Sequence, residues 1–214
     1  MSNEYPLLVA AAMARAYRSG EKTQTRRVVE ANGWNPNDYE FACVKEHESL
    51  SRAQAFFADG RGTGCKYGKV GDKLWLREMA IERHPEGQRI VWTADMSTAW
   101  VKAIGDVSYL ASDYKVGPGK PNIHMPREYC QTVLTITALR VERLQAITDQ
   151  DALSEGVLEW FKPRAAKLKN AGIAAPDRPR FLFELLWTSL YGQAAWDSNP
   201  YVWVIQTDKV NNAG

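Results

Sequence analysis

A single long strand dominates the pattern of this sequence. Residues 131–143 alternate β-branched and other side chains, which is typical of a strand, and a bend is expected near Ala138. Shorter strand patterns occur at residues 21–29, 73–78, 88–94 and 201–206. Because these strands lie far apart and outnumber the helices, they favour a mixed β-barrel with peripheral helices over a βαβ sheet. We therefore expect an α+β fold.

Helix patterns lie between the strands. Apolar residues recur at helical spacing over residues 6–19 and 180–191, and both segments run into a glycine that can end a helix. A third helix is expected at residues 148–156, where Thr148 is a good N-cap. The apolar face of the 180–191 helix is predicted to consist of Phe181, Leu185 and Leu186.

Two stretches have little periodicity and are predicted to be irregular. Residues 30–70 are interpreted as an elaborated loop region with a short helix near residues 49–58. Residues 104–122 are rich in Gly, Pro, Asp and Ser, so we expect a long surface loop there.

The charge balance limits the kind of partner. The chain has 214 residues and 27 Lys and Arg against 25 Asp and Glu, a net charge of only +2. A surface for nucleic acid must then come from local clustering, because the field of the whole molecule is weak. This argues against a protein that coats long duplex DNA and agrees with one that engages a short segment or a single nucleoside.

Cysteine and histidine spacing predicts no metal site. Cys43, Cys65 and Cys130 are an odd number at wide spacing, and the three histidines show no ligand pattern. We expect neither a disulfide framework nor a cofactor. The apolar run near the N-terminus lacks the order of a signal peptide and is too short to span a bilayer, so a cytoplasmic location is expected.

One basic segment stands out as a candidate site. Lys22, Thr23, Thr25, Arg26 and Arg27 place three cations and two hydroxyl groups within six residues. In an extended chain Lys22 and Arg26 would lie on one side and Thr23, Thr25 and Arg27 on the other. Such a set could grip a phosphate or a polarised carbonyl. The alternative is a solvated edge strand whose charges prevent aggregation.

Residues 18–27 resemble the signature segment of the ASCH family, a branch of the PUA-like superfamily. The shared pattern is a helix that ends in Gly, a charged residue, Lys-Thr, any residue, Thr and Arg. Gly71-Asp72 before a strand and the closing strand at residues 202–205 are similar to further family landmarks. Over nearly its full length the chain resembles phage and prophage ASCH-type proteins, through segments at residues 71–78, 123–127, 187–192 and 196–204.

The resemblance implies a PUA-like β-barrel and a single domain. That domain would cover residues 1–210, and residues 211–214 would form a flexible tail. Insertions relative to smaller family members would lie near residues 30–65, 85–122 and 159–179.

The same resemblance implies a set of functional residues. Small bacterial N4-acetylcytidine amidohydrolases of this family use a Lys, a Thr three residues later and a distant Glu. Lys22 and Thr25 match the first two, and residues 147–155 are similar to the segment that holds the third, which places Glu155 at the catalytic acid. Lys22 would be the base for the Thr25 hydroxyl, and Glu155 would carry the proton to the leaving nitrogen. Alternatively, Lys22 and Glu155 form a salt bridge that ties strand to helix.

Further candidate ligand-binding residues lie elsewhere in the chain: Thr23, Arg26, Arg27, Trp75, Arg77, His124 and Arg127. Trp75 could stack on a base but is also a typical core residue. The basic run Lys162, Arg164, Lys167 and Lys169 could follow a nucleic-acid backbone, although such a run is more often a solvated helix face.

Two functions remain open from the sequence. The first is binding of RNA, single-stranded nucleic acid or a modified nucleoside, with or without hydrolysis of an acylated base. The second is a phage accessory module that binds another protein without catalysis. In either case the expected location is the cytoplasm, that of the bacterial host if the chain is phage-encoded.

Overall fold

The structure is a computed structural model of the chain. It describes residues 2–47, 50–78, 125, 127, 130 and 132–208 with their side chains. The strands within 82–84, 87–90, 100–103, 109–110 and 211–212 are described as backbone only. His124 and most of the loop expected at residues 104–122 lie outside these residues.

Strands and helices alternate irregularly along the chain. The strands are β1 (Glu4–Leu8), β2 (Gln24–Val28), β3 (Phe41–Lys45), β4 (Gln54–Phe57), β5 (Gly62–Gly64), β6 (Lys73–Arg77), β7 (Glu82–His84), β8 (Gly87–Ile90), β9 (Trp100–Ala103), β10 (Tyr109–Leu110), β11 (Thr132–Arg143), β12 (Tyr201–Thr207) and β13 (Asn211–Asn212). The helices are α1 (Ala11–Ser19), α2 (Asp149–Ser154), α3 (Val157–Asn170), α4 (Pro179–Tyr191) and α5 (Gln193–Asp197). This confirms the expected α+β class.

A mixed sheet forms the centre of the molecule, with strand order β1-β6-β11-β12-β2 and β13 beside β11. β1 runs parallel to β6, and the other pairs in this sheet are antiparallel. β11 pairs with β6 through its first residues and with β12 through the rest, and its register shifts between Ile136 and Ala138, where the bend was expected. β1 and β2 end the path, so within the described residues no strand pair closes a barrel.

The expectation of a loop region with a helix near residues 49–58 is wrong. β3, β4 and β5 form a three-stranded antiparallel sheet there. Ala53, Ala55 and Phe57 are buried, whereas Gln54 and Phe56 are only partly so. Burial at every second residue is typical of a strand. In the sequence, this apolar run is too short to distinguish the period of a strand from that of a helix. A further antiparallel sheet has the order β10-β9-β8-β7.

The N-terminal helix is shorter than predicted. Residues Glu4–Leu8 form β1, in which Leu7 is fully buried and Leu8 is 43% exposed. The helical spacing of apolar residues starts only at α1, which ends at Gly20 in the left-handed conformation, with φ of 77°. The chain therefore turns sharply before β2.

The helices pack together, with α4 in contact with α2, α3 and α5. α4 buries Leu182, Phe183, Leu186 and Trp187 against the core. Phe181 was predicted to face inward, which is wrong, because it is 41% exposed. The apolar face of this helix is wide, so the sequence pattern did not determine which residues lie at its centre, and the predicted face was shifted by about one residue. No helix that the structure describes is long and apolar enough to cross a membrane.

Candidate functional site

The turn after α1 joins the start of β2 to the end of α2. The Lys22 amide donates a hydrogen bond to the Ala16 carbonyl over 2.9 Å, and the Thr23 amide donates to the Ser154 carbonyl, also over 2.9 Å. Lys22 and Glu155 form an isolated antiparallel bridge. α2 ends at this point because Gly156 takes the left-handed conformation, with φ of 74°. Backbone hydrogen bonds therefore fix the distance between Lys22 and Glu155.

The Lys22 ammonium is buried and fully hydrogen-bonded. Its Nζ donates to the Gln24 carbonyl over 2.7 Å, and to the Glu155 carbonyl and Oε2 over 2.8 Å each. It also lies 5.3 Å from the centre of the Tyr17 ring. Burial lowers the pKa of Lys22, with Glu155 acting against this shift. Three acceptors around three N–H groups make Lys22 a hydrogen-bond donor in this arrangement.

Glu155 connects Lys22 to a second buried cation, Arg26. The carboxylate accepts from Lys22 through Oε2 and from Arg26 Nη1 through Oε1 over 3.2 Å. Lys22 and Arg26 thus reach one carboxylate, as the alternation of an extended chain predicts. The salt bridge that was the alternative to a catalytic pair is therefore present.

The charges continue from this pair to the surface. Arg26 is only 1% exposed and also pairs with Glu142 and Asp151. Arg140 contacts the same two carboxylates from outside, over 2.9 and 3.1 Å. The cluster holds three cations and three anions, so it is close to neutral as a whole.

A cavity of about 430 Å³ lies beside this cluster, between β2, the β1–α1 connection, α3 and α4. Its polar wall is formed by Lys22, Thr25, Arg26, Arg27 and Glu155. Its aromatic wall is formed by Tyr67, Trp160, Phe183, Trp187 and Tyr191. The cavity thus offers charged groups on one side and ring faces on the other.

The aromatic wall was not predicted from the sequence. Phe183, Trp187 and Tyr191 follow each other at four-residue spacing on one side of α4, with ring centroids 5.9 and 4.7 Å apart. Trp187 is buried, yet it also lines the cavity. The four-residue spacing is a signal that the sequence contains. Tyr67 and Trp160 come from other elements, and no local pattern marks them.

Thr25 and Arg27 complete the polar wall. Thr25 is 2% exposed and lies beside Tyr17, whose buried hydroxyl has no hydrogen-bond partner in the described part of the chain. Burial, together with the charge of Glu155, raises the pKa of Tyr17. Arg27 is half-buried and donates to the Leu8 carbonyl over 2.9 Å and to the Arg26 carbonyl over 3.3 Å. Arg27 therefore links β2 to the last residue of β1.

Other predicted site residues lie away from this cavity. Trp75 is buried in a small cluster with Met125 and Cys130, and the Arg77 guanidinium lies 4.8 Å from its ring centre. Arg127 pairs with Glu4 over 2.8 Å. β11 and β12 separate β6 from β2, which explains why these residues do not meet Lys22.

Thr23 is held through its backbone. Its amide donates to Ser154, and its carbonyl accepts from the Thr207 amide over 2.9 Å. It does not belong to the cavity wall as described. Among the candidate ligand-binding residues, Thr23 is therefore not brought to the cavity.

Comparisons of this chain with protein-family models, with curated proteins and with solved structures found no match. The ASCH resemblance of its segments stays a prediction.

Proposed function

We propose that this protein binds a single nucleobase, presented by RNA or by a modified nucleoside, in the cavity between β2 and α4. The observation that carries the proposal is the convergence of Lys22, Thr25 and Glu155 on one cavity that also has an aromatic wall. Its volume of about 430 Å³ falls within the range of small-molecule sites. Base recognition by proteins combines ring stacking with polar contacts to the base edge, and the two walls offer both.

The polar wall suits a ligand that brings hydrogen-bond acceptors. Lys22, Arg26 and Arg27 are all donors, and Glu155 already accepts from two of them. Buried Nε of Arg26 and Nε1 of Trp187 have no acceptor among the described residues. Buried donors without partners destabilise a protein, so a base with carbonyl or ring-nitrogen acceptors would complement this wall.

A PUA-like (ASCH) barrel is part of this proposal. The Arg27 guanidinium supports it by connecting β2 to the end of β1, the two strands at opposite ends of the main sheet. A closed sheet would place the cavity at the mouth of the barrel. An experimental structure in which β1 and β2 splay apart would contradict this part of the proposal. The single-domain organisation and the flexible tail remain predictions.

Titration with nucleosides, followed by tryptophan fluorescence and calorimetry, tests base binding. Tyr191 is half exposed at the cavity, so Tyr191→Ala should remove one stacking face without unfolding the protein. We expect this variant to bind about 5- to 150-fold more weakly, since one stacked base contributes roughly 1–3 kcal/mol. Tyr39→Ala is the control, because it also removes a tyrosine ring, but this ring packs on Trp34 away from the cavity.

Two results would overturn base binding. One is that no nucleoside in a panel of plain and acylated bases binds, which would favour the accessory protein-binding function. The other is that Tyr191→Ala and Tyr39→Ala bind equally well.

Hydrolysis of an N-acylated base is the second candidate function. The contact of Lys22 with Glu155 over 2.8 Å, with Thr25 on the same wall, favours it. Amide hydrolysis needs a nucleophile, a proton carrier and a donor for the oxyanion. The Thr25 hydroxyl would attack the acyl carbon and pass its proton to Glu155, which would give that proton to the leaving amine as the amide bond breaks. Water would then attack the acyl ester on Thr25, which releases the carboxylic acid and restores the hydroxyl. Lys22 must exchange one of its three hydrogen bonds for the substrate oxygen.

Thr25→Val separates hydrolysis from binding. It removes the hydroxyl and keeps the shape of a side chain that is 2% exposed. If the protein is a hydrolase, turnover of N4-acetylcytidine disappears while the nucleoside still binds. Undiminished turnover in the folded variant, or no turnover by the unmodified protein, would reject hydrolysis and leave base binding in place.

A further inference from the structure

α3 carries an excess of positive charge that the buried cluster lacks. Its fourteen residues include Lys162, Arg164, Lys167 and Lys169 against Glu159 alone, a net charge of +3, whereas the whole chain has +2. All four of these cations are exposed. Glu159 is shared between Lys162 and Arg15 over 3.2 and 3.0 Å. The charge of α3 is thus concentrated at the surface and is not neutralised locally.

The cations of α3 fall on two sides of the helix. Arg164 and Lys167 follow Trp160 by four and seven residues, so they lie within about 40° of its direction. The Arg164 guanidinium stacks on the Trp160 ring, 4.1 Å from its centre. Lys162 and Lys169 lie roughly 160° or more from Trp160, on the opposite side. Since Trp160 lines the cavity, one basic stripe starts at the cavity and the other does not.

We propose that the stripe Trp160–Arg164–Lys167 binds the phosphate backbone of a single-stranded polynucleotide whose base enters the cavity. This inference rests on the proposed base-binding function and adds that the ligand is a strand, not a free nucleoside. Arg and Lys neutralise phosphates, and a Trp ring under Arg164 offers a face for a neighbouring base. On the polar wall, by contrast, Lys22 and Arg26 are already paired with Glu155.

The test compares two double variants with the same change in net charge. Arg164→Gln/Lys167→Gln removes the stripe beside the cavity, and Lys162→Gln/Lys169→Gln removes the opposite pair. Binding of a ten-nucleotide RNA, the same DNA sequence and the free nucleoside is measured at several salt concentrations. For single strands the slope of log K against log salt is about −0.7 per phosphate contact, so losing two contacts reduces it by roughly 1.4.

We expect that reduction only for Arg164→Gln/Lys167→Gln, with nucleoside affinity unchanged. The affinity lost between about 50 and 200 mM salt should then be roughly sevenfold smaller than for the unmodified protein. Equal slopes in the two double variants, or an oligonucleotide that binds no tighter than the nucleoside, would overturn the strand inference. If oligonucleotides bind through the stripe but nucleosides never bind and Tyr191→Ala has no effect, the cavity proposal fails and the stripe stands. Tighter binding of RNA than of DNA would identify the ligand as RNA. Equal affinities would mean that the site accepts single-stranded RNA and single-stranded DNA alike.

Discussion

At the scale of single residues, the buried ionic cluster determines what the site can do. Lys22 and Glu155 are 4% and 3% exposed; Lys22 Nζ has three acceptors, and each carboxylate oxygen of Glu155 accepts a hydrogen bond from a cation. Two buried charges are favourable only while each keeps its partners, because an isolated ion inside a protein loses its hydration. We therefore expect Lys22 and Glu155, two of the residues that the resemblance assigns to catalysis, to stabilise the fold as well, so an activity assay needs a stability measurement beside it.

Removing one buried charge should destabilise the protein strongly. Lys22→Met leaves Glu155 with Arg26 as its remaining cation, and we expect the free energy of unfolding to fall by about 3–5 kcal/mol. Arg140→Met removes a 38% exposed cation from the outer end of the same cluster and should cost at most about 1 kcal/mol. Urea denaturation of both variants measures the difference. Equal losses would mean that the cluster stabilises the fold no more at its centre than at its edge.

Gly156 is required for the approach of α2 to α1 and Lys22. Its φ is 74°, and a Cβ there would lie 2.9 Å from the Ala16 Cβ and 3.0 Å from the Lys22 Cβ. Gly172 has a similar φ of 71° with nothing within 4 Å, so Gly172→Ala measures the backbone strain alone, about 1–2 kcal/mol.

Gly156→Ala should cost more than Gly172→Ala by a further roughly 1–3 kcal/mol, because the added methyl group overpacks a contact that has no free space. Thermal and urea denaturation of the two variants provide the comparison. Equal losses would show that the α1–α2 contact can relax, and the cavity wall with it.

At the scale of elements, α2 places Glu155 by means of its capped N-terminus. The Thr148 hydroxyl accepts from the Asp151 amide over 3.1 Å, and the Asp151 carboxylate accepts from the Thr148 amide over 3.3 Å. This capping box was predicted in part, since Thr148 was recognised as the N-cap. The role of Asp151 in the ion cluster was not predicted, because its partner Arg26 is far away in sequence and meets it only where the start of β2 joins the end of α2.

The capping box predicts a pH dependence. Burial acts to raise the pKa of Asp151, but hydrogen bonds from Thr148 and the charge of Arg26 outweigh it, so the pKa lies below the usual 3.8. A carboxyl group with a lowered pKa stabilises the folded state fully above its unfolded pKa and loses this effect as pH falls through the folded value. Asp151→Asn should therefore be less stable than the unmodified protein at pH 6, by about 1 kcal/mol.

This difference should shrink as pH falls below 3.8, where the carboxyl group of the unfolded chain becomes protonated. Urea denaturation of both proteins between pH 6 and pH 3 measures it. A difference that stays constant over this range would show that the charge of Asp151 contributes nothing.

At the scale of the whole molecule, the sequence predicted the strands that alternate cleanly and missed what depends on distant contacts. β11 and β6 were recognised because their side chains alternate with period two, and β12 because it is a short run of β-branched and aromatic residues. The second half of β1 was interpreted as helix, since Leu8 fits a helical repeat with Ala12, and only the pairing of β1 with β6 shows that it is a strand. The polar half of the site was predicted from the basic segment at residues 22–27 and, for Glu155, from the family resemblance. The aromatic half is assembled from α3, α4 and the turn between β5 and β6, which no local pattern could join.

The hydrogen bond from Arg27 to the Leu8 carbonyl offers a way to detect ligand binding in the cavity. The Arg27 guanidinium donates to the Leu8 carbonyl and also forms part of the cavity wall. The same side chain therefore connects the two end strands of the sheet and can contact a ligand. A ligand that breaks the Arg27–Leu8 hydrogen bond should destabilise the end of β1. A ligand that leaves this hydrogen bond in place should stabilise it. The Val9 amide donates a hydrogen bond to the Arg77 carbonyl over 3.1 Å, and Val9 itself lines the cavity. Deuterium uptake at this amide should therefore change when a ligand binds.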